Sequence, residues 1–177
     1  MTSISRRGFG GLFGASALGL AMPSLAFGAV PKVVVIGGGA GGATAARYIA
    51  KDSKGAIDVT LVEASKRYYT CFFSNLYLGG FRDYDSIGHG YDQLAANHRV
   101  NVVHEWASSV DNAGKMVKLA SGGTLSYDKL VLSPGIALKY DSIAGYSPQA
   151  QGRMPHGWTS GTQAQQIRNQ VLTMKKG

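Results

Sequence analysis

Short apolar runs separated by glycine-rich breaks organise the chain after residue 31. Residues 32–36 form a run rich in β-branched side chains, which predicts a strand buried on both faces. Glycines within 37–42 interrupt this run, and the alanine-rich segment 43–50 predicts a helix. Residues 57–62 predict a second strand. A strand, a helix and a strand in this order form one βαβ unit, whose two strands are parallel.

The rest of the chain continues to alternate between strands and helices, with a less regular middle. Residues 68–80 are aromatic and end in glycines, which predicts a loop that runs into a short helix. The other predicted elements are a helix over 91–97, a strand over 100–104, a β-hairpin of 115–119 and 124–127, a buried strand over 129–132 and a helix over 163–174. The pattern predicts an α/β fold of the Rossmann-like, dinucleotide-binding type.

The first residues carry an export pattern. Arg6 and Arg7 precede an apolar, glycine-rich run over 12–21, and small residues over 24–28 offer cleavage points. The run is shorter than the ~20 residues that span a bilayer, so we expect residues 1–28 to be a twin-arginine signal peptide, with no stable membrane anchor. This predicts a periplasmic protein. Since the twin-arginine route carries folded proteins, it also favours a cofactor inserted before export. An uncleaved anchor is the alternative.

Composition and charge are those of an ordinary globular protein. The 177 residues carry a formal net charge of +8, which is spread along the chain and therefore disfavours nucleic-acid binding. The balance of apolar and charged residues disfavours disorder. The single cysteine, Cys71, excludes an intrachain disulfide, and a lone thiol in an exported protein needs an explanation.

The first glycine-rich break has the spacing of a dinucleotide-binding motif. Gly37 permits the tight turn after the strand, Gly39 lets the backbone approach a pyrophosphate, and Gly42 lets the helix pack against the strand. Glu63 follows the second strand, where a carboxylate accepts hydrogen bonds from both ribose hydroxyls of an adenosine. The spacing does not separate FAD from NAD, and the basic residues after Glu63 keep NADP open. A glycine-rich turn without a ligand is the alternative.

Cys71 lies in an aromatic loop over 68–75, on the side where this fold binds its ligand. A thiolate is nucleophilic, and the 8-methyl carbon of an oxidised flavin is open to its attack, so the position indicates covalent attachment of FAD. A buried structural cysteine is the alternative. We expect the aromatic residues Tyr69, Phe72 and Trp158 to fill the core rather than line the flavin.

Several short motifs occur together along the chain after the signal region. They lie at 69–71, 74–75, 79–80, 89–92, 130–135, 145–147, 154–158 and 161–163. The segment 154–158, Met-Pro-His-Gly-Trp, is the most distinctive of them. Together these motifs resemble the flavoprotein subunit of flavocytochrome c sulfide dehydrogenase, and the twin-arginine pattern fits the resemblance.

The resemblance implies a Rossmann-like FAD-binding domain of the disulfide-reductase-like flavoprotein type. It implies an enzyme that oxidises sulfide and passes electrons through FAD to a c-type cytochrome subunit. The residues that it implies for cofactor binding are Gly37, Gly39, Gly42, Glu63, Cys71, Ser133, Pro134 and Gly135. The cysteine of this set carries the flavin by a thioether bond in the family, and the last three residues match a second flavin-domain motif.

The chain departs from the family in two ways. The family oxidises sulfide at a pair of redox-active cysteines beside the flavin, and neither is present here, so we assign no catalytic residue. The family's chains are also much longer. We therefore expect residues 30–177 to be the N-terminal part of the FAD/NAD(P)-binding domain, without the second nucleotide-binding domain and the C-terminal interface region, and to be inactive alone. His89, His104 and His156 lack metal-ligand spacing, so we predict no metal site.

Three other functions stay open. A sulfide:quinone reductase-like flavoprotein would need an apolar membrane-facing segment, which these residues do not show. A soluble nicotinamide dehydrogenase gives no role to Cys71 or to export. A catalytically inactive flavin-binding or interaction fragment would pair with a cytochrome without turning over sulfide.

Overall fold

A computed structural model describes residues 28–175, in which a parallel sheet is covered by helices on one face and by a smaller antiparallel sheet on the other. Residues 1–27, which hold almost all of the predicted signal peptide, lie outside the described residues. The strands and helices are β1 Lys32–Ile36, α1 Ala40–Ser53, β2 Asp58–Val62, β3 Arg67–Tyr69, α2 Ser74–Leu78, β4 Gly88–Gly90, α3 Asp92–His98, β5 Asn101–Val103, β6 Ala107–Asp111, β7 Met116–Leu119, β8 Thr124–Ser126, β9 Lys129–Leu132 and α4 Thr162–Thr173.

The main sheet has the strand order β5-β2-β1-β9, and each neighbouring pair is parallel. Val35 of β1 lies between Leu61 of β2 and Val131 of β9. Parallel neighbours require crossover connections, and α1 supplies the one between β1 and β2. The predicted α/β fold with a Rossmann-like parallel sheet is therefore confirmed.

The central strand β1 is buried on both faces because successive side chains point to opposite sides of the sheet. Val33 and Val35 pack with Ala46 of α1 on the helical face. Val34 packs on the other face with Val117 of β7, in the three-stranded sheet β6-β7-β8. The two clusters leave the carboxyl ends of β1 and β2 at one edge of the sheet, where a ligand binds in this class of fold.

Several local expectations differ from the structure. Helix α1 begins at Ala40 and includes Gly41 and Gly42, whereas the alanine pattern placed its start at residue 43. The predicted β-hairpin belongs to a three-stranded sheet, since β6 pairs with β7, and the short strands β3 and β4 pair within the region expected to be irregular. Strand β9 was expected to be buried, but Leu132 is 62% exposed, because β9 is an edge strand of the sheet within the described residues.

The expectation that the aromatic residues fill the core is wrong for two of them. Phe72 is 68% exposed and Trp158 is 72% exposed. Tyr69 is half-buried and stacks on Tyr84, with 4.4 Å between the ring centroids. Among the helices of residues 28–175, none combines the length and the apolar character that crossing a bilayer requires.

Candidate functional site

The turn between β1 and α1 is closed by two glycines whose missing side chains permit backbone contact. Gly37 has a φ of +98°, and a Cβ placed on it would lie 2.0 Å from the carbonyl oxygen of Ser133. A Cβ on Gly42 would lie 1.8 Å from the carbonyl oxygen of Gly37. Any larger residue at either position would separate the helix, the turn and the end of β9, so these glycines fix the shape of the turn.

The N-terminus of α1 is left free to receive a negatively charged group. Gly39 is the N-cap residue and offers no side chain, and the first turn holds no acidic residue. A Cβ on Gly39 would meet only the Tyr68 ring, at 3.7 Å, so the backbone there faces open space. The unpaired amides and the positive dipole end of this 14-residue helix favour a phosphate at this point.

Glu63 is held at the end of β2 by two backbone donors. The amide of Gly38 donates to Glu63 Oε2 at 2.6 Å, and the amide of Ser65 donates to Glu63 Oε1 at 2.8 Å. Each carboxylate oxygen accepts more than one hydrogen bond, so the side chain keeps acceptor capacity towards the cleft that it lines. The carboxylate is thus oriented before any ligand arrives, which suits a ribose whose hydroxyls are donors.

Tyr91, at the N-cap of α3, holds Gly38 through its carbonyl group. Its hydroxyl donates to the Gly38 carbonyl oxygen at 3.0 Å, and the side chain is buried. A Cβ on Gly38 would lie 2.6 Å from this hydroxyl, so the middle position of the motif also excludes a side chain. Sequence reasoning missed Tyr91, and the one signal was Gly38, the second of three consecutive glycines, which the dinucleotide motif does not require.

Burial, together with the neighbouring Glu63 carboxylate and Tyr68, raises the pKa of the Tyr91 hydroxyl above its ordinary value of 10.0. The hydroxyl therefore stays neutral in the folded protein and continues to donate its hydrogen bond to Gly38 at alkaline pH. Gly38 is thus hydrogen-bonded through its amide to Glu63 and through its carbonyl to Tyr91.

Tyr91→Phe tests this contact. The substitution leaves the ring in place but removes the donor to a buried carbonyl, so we expect the free energy of unfolding to fall by about 1–2 kcal/mol at neutral pH. Urea denaturation followed by circular dichroism measures the change. Tyr48→Phe, at a ring that is 48% exposed, is the matched control and is expected to change little.

The raised pKa of Tyr91 also predicts how the free energy of unfolding of wild type and of Tyr91→Phe depends on pH. Unfolded tyrosine releases its proton near pH 10, whereas the folded state keeps it, so the folded state loses stability as pH rises above 10. Tyr91→Phe lacks this loss. The difference in unfolding free energy between wild type and variant should therefore shrink between pH 9 and about pH 11, and a constant difference would contradict the assignment.

The predicted residues meet in a cleft of about 650 Å³ at the carboxyl edge of the sheet. Those that line it are Gly37, Gly39, Glu63, Cys71, Ser133, Pro134 and Gly135. The remaining one, Gly42, is buried behind the glycine turn and supports the cleft from beneath. The volume lies within the ~300–1,000 Å³ usual for ligand pockets.

A further wall of the cleft was missed by sequence reasoning. It is formed by Ile136 and residues 158–161, just before α4. Trp158 was expected in the core because of its size, but it contributes an exposed ring to this wall. No local pattern marks these residues as ligand-facing, because their position depends on the path of the long loop between β9 and α4.

Cys71 lies on the rim of the cleft with its side chain exposed. The preceding residue, Thr70, extends the pairing of β3 with β4, since its amide donates to the carbonyl oxygen of Ile87 at 2.9 Å. Cys71 is therefore the first residue beyond this pair of strands. The Ser74 hydroxyl donates to the Cys71 carbonyl oxygen at 2.9 Å and ties the cysteine to the start of α2. The thiol is therefore accessible from the cleft, and the alternative of a buried structural cysteine is not what the structure shows.

Comparison with known proteins gives the class of the chain. A profile of the pyridine nucleotide-disulphide oxidoreductase family matches residues 31–172. The chain belongs to this family of FAD-dependent oxidoreductases, and membership implies a flavin cofactor.

Particular relatives narrow the comparison. Over 44 residues, 25% of this chain, it is 52% identical to the flavoprotein chain of the flavocytochrome c sulfide dehydrogenase of Chlorobaculum thiosulfatiphilum and covers 90% of that sequence. It is 30% identical over 146 residues, 82% of this chain and 32% of the relative, to the mitochondrial sulfide:quinone oxidoreductase of Dictyostelium discoideum. The sulfide:quinone oxidoreductase of Aquifex aeolicus shares the fold, with a TM-score of 0.66 and 24% identity over 80% of this chain and 32% of that one.

The chain spans about a third of the length of the longer curated relatives that it matches. Within the described residues, the cleft fits the part of FAD that such a segment would hold. Gly39 leaves room for the pyrophosphate at the start of α1, and Glu63 presents acceptors for the ribose. Across residues 28–175, no three His, Cys, Asp or Glu side chains are grouped as a metal site would need.

Proposed function

We propose that this chain is the FAD-binding part of an enzyme that oxidises sulfide and transfers the electrons to a c-type cytochrome subunit. The observation that supports it best is the cleft itself, in which a dinucleotide-binding turn, a ribose-facing carboxylate and an exposed thiol meet. The two relatives named for sulfide chemistry agree in substrate and differ in acceptor.

The cytochrome is favoured over a quinone by the 52% identity to the flavocytochrome c relative and by the motifs of residues 154–158. Export supports the same choice, because Arg6 and Arg7 head a twin-arginine pattern and c-type cytochromes function outside the cytoplasm. We accordingly propose a periplasmic location. A sulfide:quinone reductase-like activity is the second candidate, on the strength of the relative from Dictyostelium discoideum.

Cys71 is proposed to bond the flavin covalently. Its sulfur would form a bond to the 8-methyl carbon of oxidised FAD, and the two hydrogens and two electrons released would stay on the flavin as its reduced form. The cytochrome would then remove those electrons. The exposed thiol at the rim of the cleft and the role of the matching cysteine in the resembled family support this step.

The resembled family oxidises sulfide at a redox-active cysteine pair, and Cys71 is the single cysteine of this chain. With that thiol bound to flavin, no cysteine is left to receive sulfide. The 177 residues alone are therefore proposed to hold FAD without oxidising sulfide, and the dithiol would belong to another part of the complete protein. A flavin-binding fragment that is inactive altogether is the alternative to this arrangement.

Anaerobic addition of sulfide to the protein from its natural source tests the proposal. We expect the flavin absorbance to bleach first and the haem of an associated cytochrome to become reduced next, while the 177-residue chain alone shows no sulfide-dependent change. Reduction of an added quinone in preference to haem would favour the second candidate. Reduction by a nicotinamide nucleotide but not by sulfide would contradict both.

A further inference from the structure

Helix α4 lies against the short helix α2, and one arginine donates hydrogen bonds across this contact. Arg168 Nη1 donates to the carbonyl oxygens of Tyr77 and Leu78, at 3.0 and 2.8 Å. Its guanidinium group also lies over the Tyr77 ring, 5.5 Å from the centroid. The last carbonyls of a helix have no partner within it, and a cation makes hydrogen bonds stronger than a neutral donor does. The Tyr77 carbonyl oxygen also accepts from the Gly80 amide, so Arg168 reinforces the end of α2 from a position 90 residues away.

Backbone hydrogen bonds close the end of α2, since the amides of Gly80 and Phe81 donate to the carbonyl oxygens of Tyr77 and Leu76, but its packing against the rest of the protein is sparse. None of its five residues is buried, so hydrophobic packing contributes little to its position. The other support is aromatic, since Tyr77 packs on Tyr84 at 5.3 Å between centroids, and Tyr84 stacks on Tyr69. A helix of one and a half turns with no buried side chain does not hold itself in place, and its contacts with Arg168 carry much of that task.

The position of α2 is also the position of Cys71. The backbone amide and the hydroxyl of Ser74, the first residue of α2, both donate to the Cys71 carbonyl oxygen, at 3.2 and 2.9 Å. A shift of α2 would move the cysteine with it. Helix α2 therefore connects the two residues by hydrogen bonds, with Cys71 bonded at its first residue and Arg168 bonded at its last two.

The loop that leads into α4 forms part of the cleft wall. The N-cap residue of α4, Gly161, lines the cleft together with Trp158. Arg168 follows Thr162, the first residue of α4, by six positions, which is about 9 Å along a helix. One rigid element therefore sets both the wall at residues 158–161 and the place of the cysteine loop.

We propose that Arg168 is a positioning residue that holds Cys71 at the correct distance from the cofactor for thioether formation. The proposal rests on the covalent attachment put forward above. It assigns Arg168 a role in forming the bond and none in binding FAD, because Arg168 is separated from the glycine turn and from Glu63 and is not part of the cleft lining.

The test uses the complete protein prepared without flavin from riboflavin-starved cells and then mixed with FAD. Acid-insoluble flavin is measured against time for wild type, Arg168→Met and Arg168→Lys, with the exposed neighbour Asn169→Ala as the matched control. We expect Arg168→Met to slow thioether formation by at least about tenfold, because it removes both charge-assisted hydrogen bonds to α2. Arg168→Lys should recover part of the rate, because an ammonium group still donates to a carbonyl.

Non-covalent FAD affinity and the thermal midpoint are measured on the same variants. Unchanged affinity and midpoint with a slower rate support positioning. An unchanged rate overturns the proposal, and so does a parallel fall of rate, affinity and midpoint, which would give Arg168 a general structural role.

A second measurement separates this proposal from the covalent attachment itself. Chymotrypsin cleavage after Phe81, an 82% exposed residue just beyond α2, reports how firmly the helix is held. If wild type forms no thioether, attachment through Cys71 fails. Faster cleavage in Arg168→Met would still support the contact that holds the loop, and equal cleavage would overturn it.

Discussion

Cys71→Ala is expected to abolish covalent attachment of FAD completely while leaving the fold intact. The chain has one cysteine, so no second thiol can replace it. Because Cys71 is exposed on the rim of the cleft, its truncation opens no cavity, and we expect the free energy of unfolding to stay within about 0.5 kcal/mol of wild type. FAD should still bind, through the glycine turn and Glu63.

The measurement is acid precipitation of the purified complete protein, followed by flavin absorbance of pellet and supernatant. Wild type should retain the flavin in the pellet, and Cys71→Ala should release all of it. The control is Ser86→Ala, at an exposed position that follows α2 in the sequence, and it should behave as wild type. Flavin that stays in the pellet of the alanine variant would place the bond on another residue.

Gly42→Ala is expected to have the largest effect on stability and on cofactor binding together. The added Cβ would lie 1.8 Å from the Gly37 carbonyl oxygen and 3.2 Å from the Ser133 Cβ, so the helix must move away from the turn. Overpacking of a buried position costs about 1–3 kcal/mol, and here the atom contacted is backbone that cannot rotate aside. The displaced turn would also lose its contact with a pyrophosphate, so we expect FAD affinity to fall by at least about a hundredfold.

Gly152→Ala is the matched control, since a Cβ there meets nothing within 4 Å. It should leave both FAD affinity and stability near wild type. Urea denaturation and titration with FAD distinguish the two variants. A Gly42→Ala protein with normal affinity and stability would mean that α1 is not packed on the turn as described.

The main sheet was predictable because its signals are local. Strand β1 is rich in β-branched residues that are buried on both faces of the sheet, and β2 has a similar pattern, so a short window of sequence suffices to predict them. Strand β6 reads Ala-Ser-Ser-Val-Asp and shows little apolar character. It forms because β7 offers a partner, which a window of sequence does not reveal. The three-residue strands β3 and β4 were missed for the same reason.

The residues of the site also differ in whether local sequence reveals them. Gly37, Gly39 and Glu63 were identified from spacing, since the motif and the strand end lie within one βαβ unit. Tyr91 was not, because its hydroxyl contacts a carbonyl 53 residues away in the chain. Arg168 contacts α2 across 90 residues or more. Side chains that act through distant backbone groups leave no trace in local pattern.

The most direct test of the central claim is the intact mass of the protein purified from its natural source, measured under denaturing conditions together with its visible spectrum. We expect a single species that carries the mass of one FAD after denaturation, and a digest of it in which the modified peptide contains Cys71. A polypeptide that carries no flavin, or one whose FAD is lost entirely on denaturation, would contradict the covalent flavoprotein proposed here.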